Sequence, residues 1–81
     1  MNYRIETFTY NETIRIPANC NAITFINPSA LITFKVNNIP VLPNATLSIE
    51  GNENETDITD YQIDFGTATT GTCYVIKKVF A

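Results

Sequence analysis

The segment Ile58-Thr59-Asp60-Tyr61-Gln62-Ile63-Asp64-Phe65 ends in an alternation that sets Tyr61, Ile63 and Phe65 on one face of an extended strand. The same period of two recurs along the chain, and no stretch carries the 3.6-residue period of an amphipathic helix. Such a chain buries its apolar side chains by laying strands beside one another, with successive residues pointing to opposite faces. The sequence therefore predicts an all-β fold.

Turn residues divide it into strands. Asn2 to Thr9 is the first candidate, followed by a turn at Tyr10-Asn11-Glu12 and a short strand through Thr13 to Ile16 that Pro17 stops. Ala22 to Asn27 places Ile23 and Phe25 on one face, and Pro28-Ser29-Ala30 reads as a turn. Leu31 to Val36 points Ile32, Phe34 and Val36 inward and Thr33 and Lys35 outward. Asn37-Asn38 suits a tight hairpin, because Asn tolerates the positive φ angles of a primed turn. The return arm Ile39-Pro40-Val41-Leu42 belongs at a sheet edge, since Pro40 has no N–H for a ladder. After Pro43-Asn44, the strand Ala45 to Glu50 aligns Ala45, Leu47 and Ile49. Gly66 to Gly71 reads as a flexible connector, and Thr72 to Phe80 as the last strand. That strand is apolar on both faces, so it is either central in its sheet or covered by another subunit. The spacing predicts a small antiparallel β-sandwich or barrel of about seven short strands, in a single domain spanning 1–81.

At 81 residues the apolar surface buried barely outweighs the conformational entropy lost on folding. Support from a disulfide, a metal or self-association is expected, and the composition favours self-association. Charged residues make up only 16% of the chain, against the usual quarter, so the surface is built largely of Asn, Thr and exposed apolar groups. Such a surface suits packing against other subunits; AT-rich coding DNA would also favour Asn and Ile. The formal net charge is −3, which argues against a nucleic-acid partner. Glu50, Glu53, Glu55, Asp57, Asp60 and Asp64 form an acidic block, with no Lys or Arg between Lys35 and Lys77. It reads as a solvated loop and strand face; the sharper alternative is a surface at Glu53, Glu55 and Asp57 that docks a basic partner or a cation.

The chemistry that the residues allow is narrow. With no histidine in the sequence there is no ordinary catalytic triad and no imidazole base, and neither Ser29 nor Ser48 sits in a nucleophile-elbow pattern. Paired carboxylates are present, but a glycosidase also needs a deep cleft with stacking aromatics, and the chain has no tryptophan. Asn52, Glu53, Asn54, Glu55 and Asp57 offer oxygen ligands of the kind calcium takes, yet the glycine of an EF-hand loop is missing and no helices flank it. Cys20 and Cys73 lack metal-site spacing; a bridge between them would close a long loop, whereas a cytoplasmic product keeps both as thiols. The expectation is a non-enzymatic protein with no cofactor and no metal. Met1 to Tyr10 lacks the basic start and apolar run of a secretory leader, and no segment reaches the length of a membrane span, so no membrane partner is expected. Three N-x-Thr sequons, at Asn11, Asn44 and Asn54, are about what chance gives in a chain this rich in Asn and Thr.

Phe25-Ile26-Asn27-Pro28, the run from Phe34 to Asn44, and the run from Leu47 through Glu55 to Tyr61-Gln62-Ile63-Asp64-Phe65 together resemble small β-rich virion proteins of bacteriophages. The likeness is to capsid decoration proteins, head-fibre bases and related vertex or tail modules, and it covers most of residues 20–80. The resemblance implies a structural role in the virion: a homo-oligomer made in the host cytoplasm and attached to the major capsid protein or another virion protein. Candidate contact residues are Tyr10, Ile39, Val41 and Leu42, as exposed apolar or edge positions, with Lys77 and Lys78 as partners for acids. Two alternatives stay open: a glycan- or receptor-binding module using the Tyr10 region, and a secreted inhibitor or immunity domain that would need a Cys20–Cys73 bridge.

Overall fold

The computed structural model describes residues 2–52, 55–68 and 70–80. Eight strands follow one another: β1 (Tyr3–Tyr10), β2 (Ile14–Pro17), β3 (Ala22–Ile26), β4 (Phe34–Val36), β5 (Ile39–Val41), β6 (Thr46–Ile49), β7 (Asp60–Asp64) and β8 (Cys73–Phe80). They form two four-stranded sheets, a first in the order β1-β8-β3-β6 and a second in the order β2-β7-β4-β5, and every pairing is antiparallel. The chain changes sheet at every connection except the β4–β5 hairpin. Its first and last strands are neighbours along their full length, from Tyr3 opposite Phe80 to Tyr10 opposite Cys73.

Inward-facing side chains of both sheets join one hydrophobic cluster. Ile23, Phe25, Cys73 and Val75 come from the first sheet, and Ile16, Phe34, Val36, Val41, Tyr61 and Ile63 from the second. The rings of Phe25 and Tyr61 meet edge to face at 5.5 Å and tie β3 to β7 across the layers. Phe34 and Phe65 pack in the same manner at 5.3 Å. Edge-to-face contact sets the positive rim of one ring against the negative face of the other, which adds to the area both rings bury.

The turns follow from residue chemistry. Asn37 and Asn38 both have positive φ, 49° and 69°, as a two-residue hairpin of primed type requires. Asn19 and Asn44 also adopt left-handed backbone. β5, with Pro40, lies at the edge of its sheet, and β8 runs inside its sheet between β1 and β3. Gly51 is needed for a different reason: a Cβ there would stand 2.7 Å from the Asn21 carbonyl oxygen.

Two strands are shorter than the sequence implies. The predicted strand from Leu31 forms only at β4, because Ser29 Oγ accepts from the N–H groups of Leu31 and Ile32, while Asn27 Nδ2 donates to the Ile32 carbonyl. Side chains there replace the ladder, and Leu31 is left 91% exposed. In the same way Asp57 Oδ1 takes the N–H of Thr59, Ile58 points to solvent, and β7 begins only at Asp60. The connector after Phe65 begins in a turn in which Ala68 N donates to the Phe65 carbonyl; it ends at Thr72, whose hydroxyl donates to Asn11 Oδ1.

Candidate interaction surfaces

Register fixes what each sheet presents outward. On the first sheet the outer row of β1 is Tyr3, Ile5, Thr7 and Thr9, opposite Phe80, Lys78, Ile76 and Tyr74 of β8. Ala22, Thr24 and Ile26 of β3 and Thr46 and Ser48 of β6 continue the same face. Lys78 is its only formal charge within the strands, and its ammonium lies 4.3 Å from the centre of the Tyr3 ring. The Tyr3 and Phe80 rings pack at 5.1 Å beside it. The outer face of the second sheet has the opposite character, with Arg15 against Gln62 and Lys35 against Asp64, and Asp60 farther along β7. One side of the molecule is thus aromatic, aliphatic and Thr-rich, while the other carries mixed charge.

Among the described residues the acidic block falls into two groups, with Glu50, Glu55 and Asp57 around one small cleft and Asp60 and Asp64 on β7. Asp60 and Asp64 lie on β7 among Arg15 and Lys35, and Asp64 Oδ1 accepts from Gly66 N at 2.7 Å. Glu55 Oε1 accepts from Asn52 Nδ2, and Glu53 lies outside the described residues. Asp57 is taken up locally: it accepts the Tyr61 hydroxyl at 2.5 Å and bonds to Thr59, and its backbone bridges to Cys20. Burial alone would raise the Asp57 carboxyl, but the hydrogen bonds from Tyr61 and Thr59 outweigh it and hold the group below the usual carboxylate value. Burial, the bond to Asp57 and the charge of Asp57 push the Tyr61 phenol up to about 12. The residue that organises this loop is Asn21, to which the sequence assigned no role. Its side-chain amide donates to the carbonyls of Asn52 and Glu55 and holds the acidic segment against β3 and β8. Among the described residues no group of acids and cysteines has the geometry to hold a metal ion.

The expected contact residues divide by exposure. Ile39 and Leu42 are 50% and 60% exposed, and Lys78 is exposed on the apolar face. Val41 corrects its expectation: it lies on the edge strand but points inward and is buried, because its register partner is the core residue Phe34. Tyr10 is not the exposed turn residue expected; it ends β1 half-buried against the core. Lys77 differs most. It falls on the inner row of β8 with Cys73 and Val75, is buried, donates from Nζ to the Pro17 carbonyl at 2.8 Å and sits 5.1 Å from the Phe8 ring centre. Its ammonium is therefore held inside this chain, where alternation along β8 puts it. Both cysteines are free and buried, and burial pushes the Cys73 thiol up to about 12.

At the end of the molecule near Asn11, an open groove of about 760 Å³ runs between Pro28–Ile32 and Thr70–Thr72. Leu31 is its apolar rim, and no aromatic ring lines it for sugar stacking. Compared with protein-family models, with curated proteins and with solved structures, the chain matches none.

Proposed function

We propose that this chain is a non-enzymatic structural subunit of a bacteriophage particle, self-associating and attached to the capsid shell as a decoration, vertex or head-fibre-base protein. The observation that carries the reading is the strand order. The orders β1-β8-β3-β6 and β2-β7-β4-β5 are those of an eight-stranded jelly-roll sandwich, a scaffold common in viral capsid proteins and also found in lectins. This is an analogy at the level of fold, and it agrees with the family resemblance of the sequence. Three features of the chain support it: an outer sheet face with one charge, exposed Ile39 and Leu42 near an edge strand, and a size that benefits from neighbours. The free, buried state of Cys20 and Cys73 weighs against the secreted inhibitor alternative, which needs them bridged.

The test is composition of the particle. Intact particles of the phage that encodes the chain, purified by density gradient and analysed by quantitative mass spectrometry, are expected to contain it at a fixed copy number per major capsid protein. Its absence from intact particles overturns the proposal. Binding of the isolated domain on a glycan array, lost on altering the Leu31 groove, would favour the lectin-like use of the same scaffold.

A further inference from the structure

The two sheets have four edges, and three are protected. β5 has three residues including Pro40, β2 has four and ends at Pro17, and β6 has only four. The fourth edge is β1, which runs for eight residues without proline or glycine and, among the described strands, pairs only with β8. Its ladder parity can be read from its neighbours. Asn27 N donates to the Ala45 carbonyl, so the odd residues of β3 bond toward β6 and the even ones toward β8. Following the register through β8, Arg4, Glu6, Phe8 and Tyr10 bond inward, and Ile5, Thr7 and Thr9 aim their N–H and C=O groups at the open edge.

We infer that this edge is a homotypic seam, at which β1 of a second copy of the chain pairs antiparallel about a two-fold axis centred on Ile5. Charge selects both the occupant and the register. An axis perpendicular to the sheet keeps the apolar outer faces on the same side, so each residue meets one of the same parity. Centred on Ile5, such pairing sets Arg4 of each copy opposite Glu6 of the other, twice. Centred one residue either way, it sets Arg4 against Arg4 or Glu6 against Glu6. Arg4 and Glu6 share a face and already bond to each other at 3.1 Å within one strand, both in contact with solvent. They would meet in non-hydrogen-bonded positions, where facing side chains are closest. Ile5, 62% exposed, faces its own symmetry mate, and the two apolar outer faces merge across an eight-stranded sheet. A two-fold seam uses both free edges and closes, whereas head-to-tail pairing would leave one open. The seam rests on the self-association within the proposed function but not on a place in a virion: a monomer overturns the seam, whereas absence from intact particles overturns the virion role alone.

Sedimentation and light scattering on the purified full chain test the seam. The expected species is a dimer, at twice the 9.1 kDa chain mass. Ile5→Pro removes an edge-facing N–H while leaving the β8 ladder whole, and is expected to give a folded monomer by circular dichroism. Arg4→Glu and Glu6→Arg each oppose like charges and are expected to weaken the dimer by about tenfold or more. Mixing those two variants restores complementarity, so they are expected to pair with each other better than with themselves. A monomeric wild-type chain at every soluble concentration overturns the seam. So does an assembly whose mass responds to neither charge variant, even if Ile5→Pro does not fold.

Discussion

Removing the Asn27 amide would strip the carbonyls of Ile32 and Val41 of the donor they share, at a site 1% exposed. Each buried acceptor left without a partner costs its desolvation, so Asn27→Ala is expected to lower stability by about 3 kcal/mol in urea unfolding. Asn2→Ala, on an exposed residue, is expected to stay within about 0.5 kcal/mol. The Asp57–Tyr61 pair contributes to the pH dependence of stability at both ends. Asp57 titrates lower folded than unfolded, so its contribution is present above the ordinary carboxylate value and is lost as pH falls through the folded one. Tyr61 titrates higher when folded, at about 12 against 10, so its contribution is complete below pH 10 and is lost as pH rises toward 12. Thermal unfolding against pH is expected to show an alkaline decline over that window, and Tyr61→Phe should reduce it. The sequence placed Asn27 only at the end of a strand and assigned Asn21 no role. An asparagine at a turn and one clamping two carbonyls look alike until the carbonyls are placed.

The turn of the hairpin between β4 and β5 was legible, because its two Asn residues have few other backbone uses. The two positions nonetheless differ. Asn37 Oδ1 accepts from Gln62 N at 2.8 Å and so extends the β4–β7 pairing beyond the last β4 residue, whereas Asn38 supplies only its φ of 69°. Asn38→Gly is therefore expected to leave the melting temperature unchanged or slightly raised, Asn38→Ala to cost about 1 kcal/mol, and Asn37→Gly to destabilise. A melting temperature insensitive to Asn38→Ala would mean that the turn carries no such strain. Strand ends were less legible. Alternation continues through Leu31 and Ile58, but Ser29, Asn27 and Asp57 occupy the backbone groups that a longer strand would use. Local periodicity records which way a side chain points; competition for hydrogen bonds decides where pairing stops.

Across the molecule, the inner faces of the two sheets depend on a few large side chains, and Phe25 joins both layers through Tyr61. Phe25→Ala is expected to cost about 4 kcal/mol in chemical denaturation, a large share of the stability of so small a domain. Leu31→Ala, on a side chain 91% exposed, should cost almost nothing. What the sequence determined by itself was parity: Tyr61, Ile63 and Phe65 on one face, Ile23 and Phe25 on another, and a proline-bearing arm at an edge. Those follow from the two-residue repeat of a strand and the missing N–H of proline, which act within a few residues. Only the tertiary structure decided that the first strand pairs with the last, that alternation turns Lys77 inward to the Pro17 carbonyl, and that β1 has one edge open. Pairing brings together residues far apart along the chain, and its energy comes from shared burial and ladder bonds that no local pattern encodes.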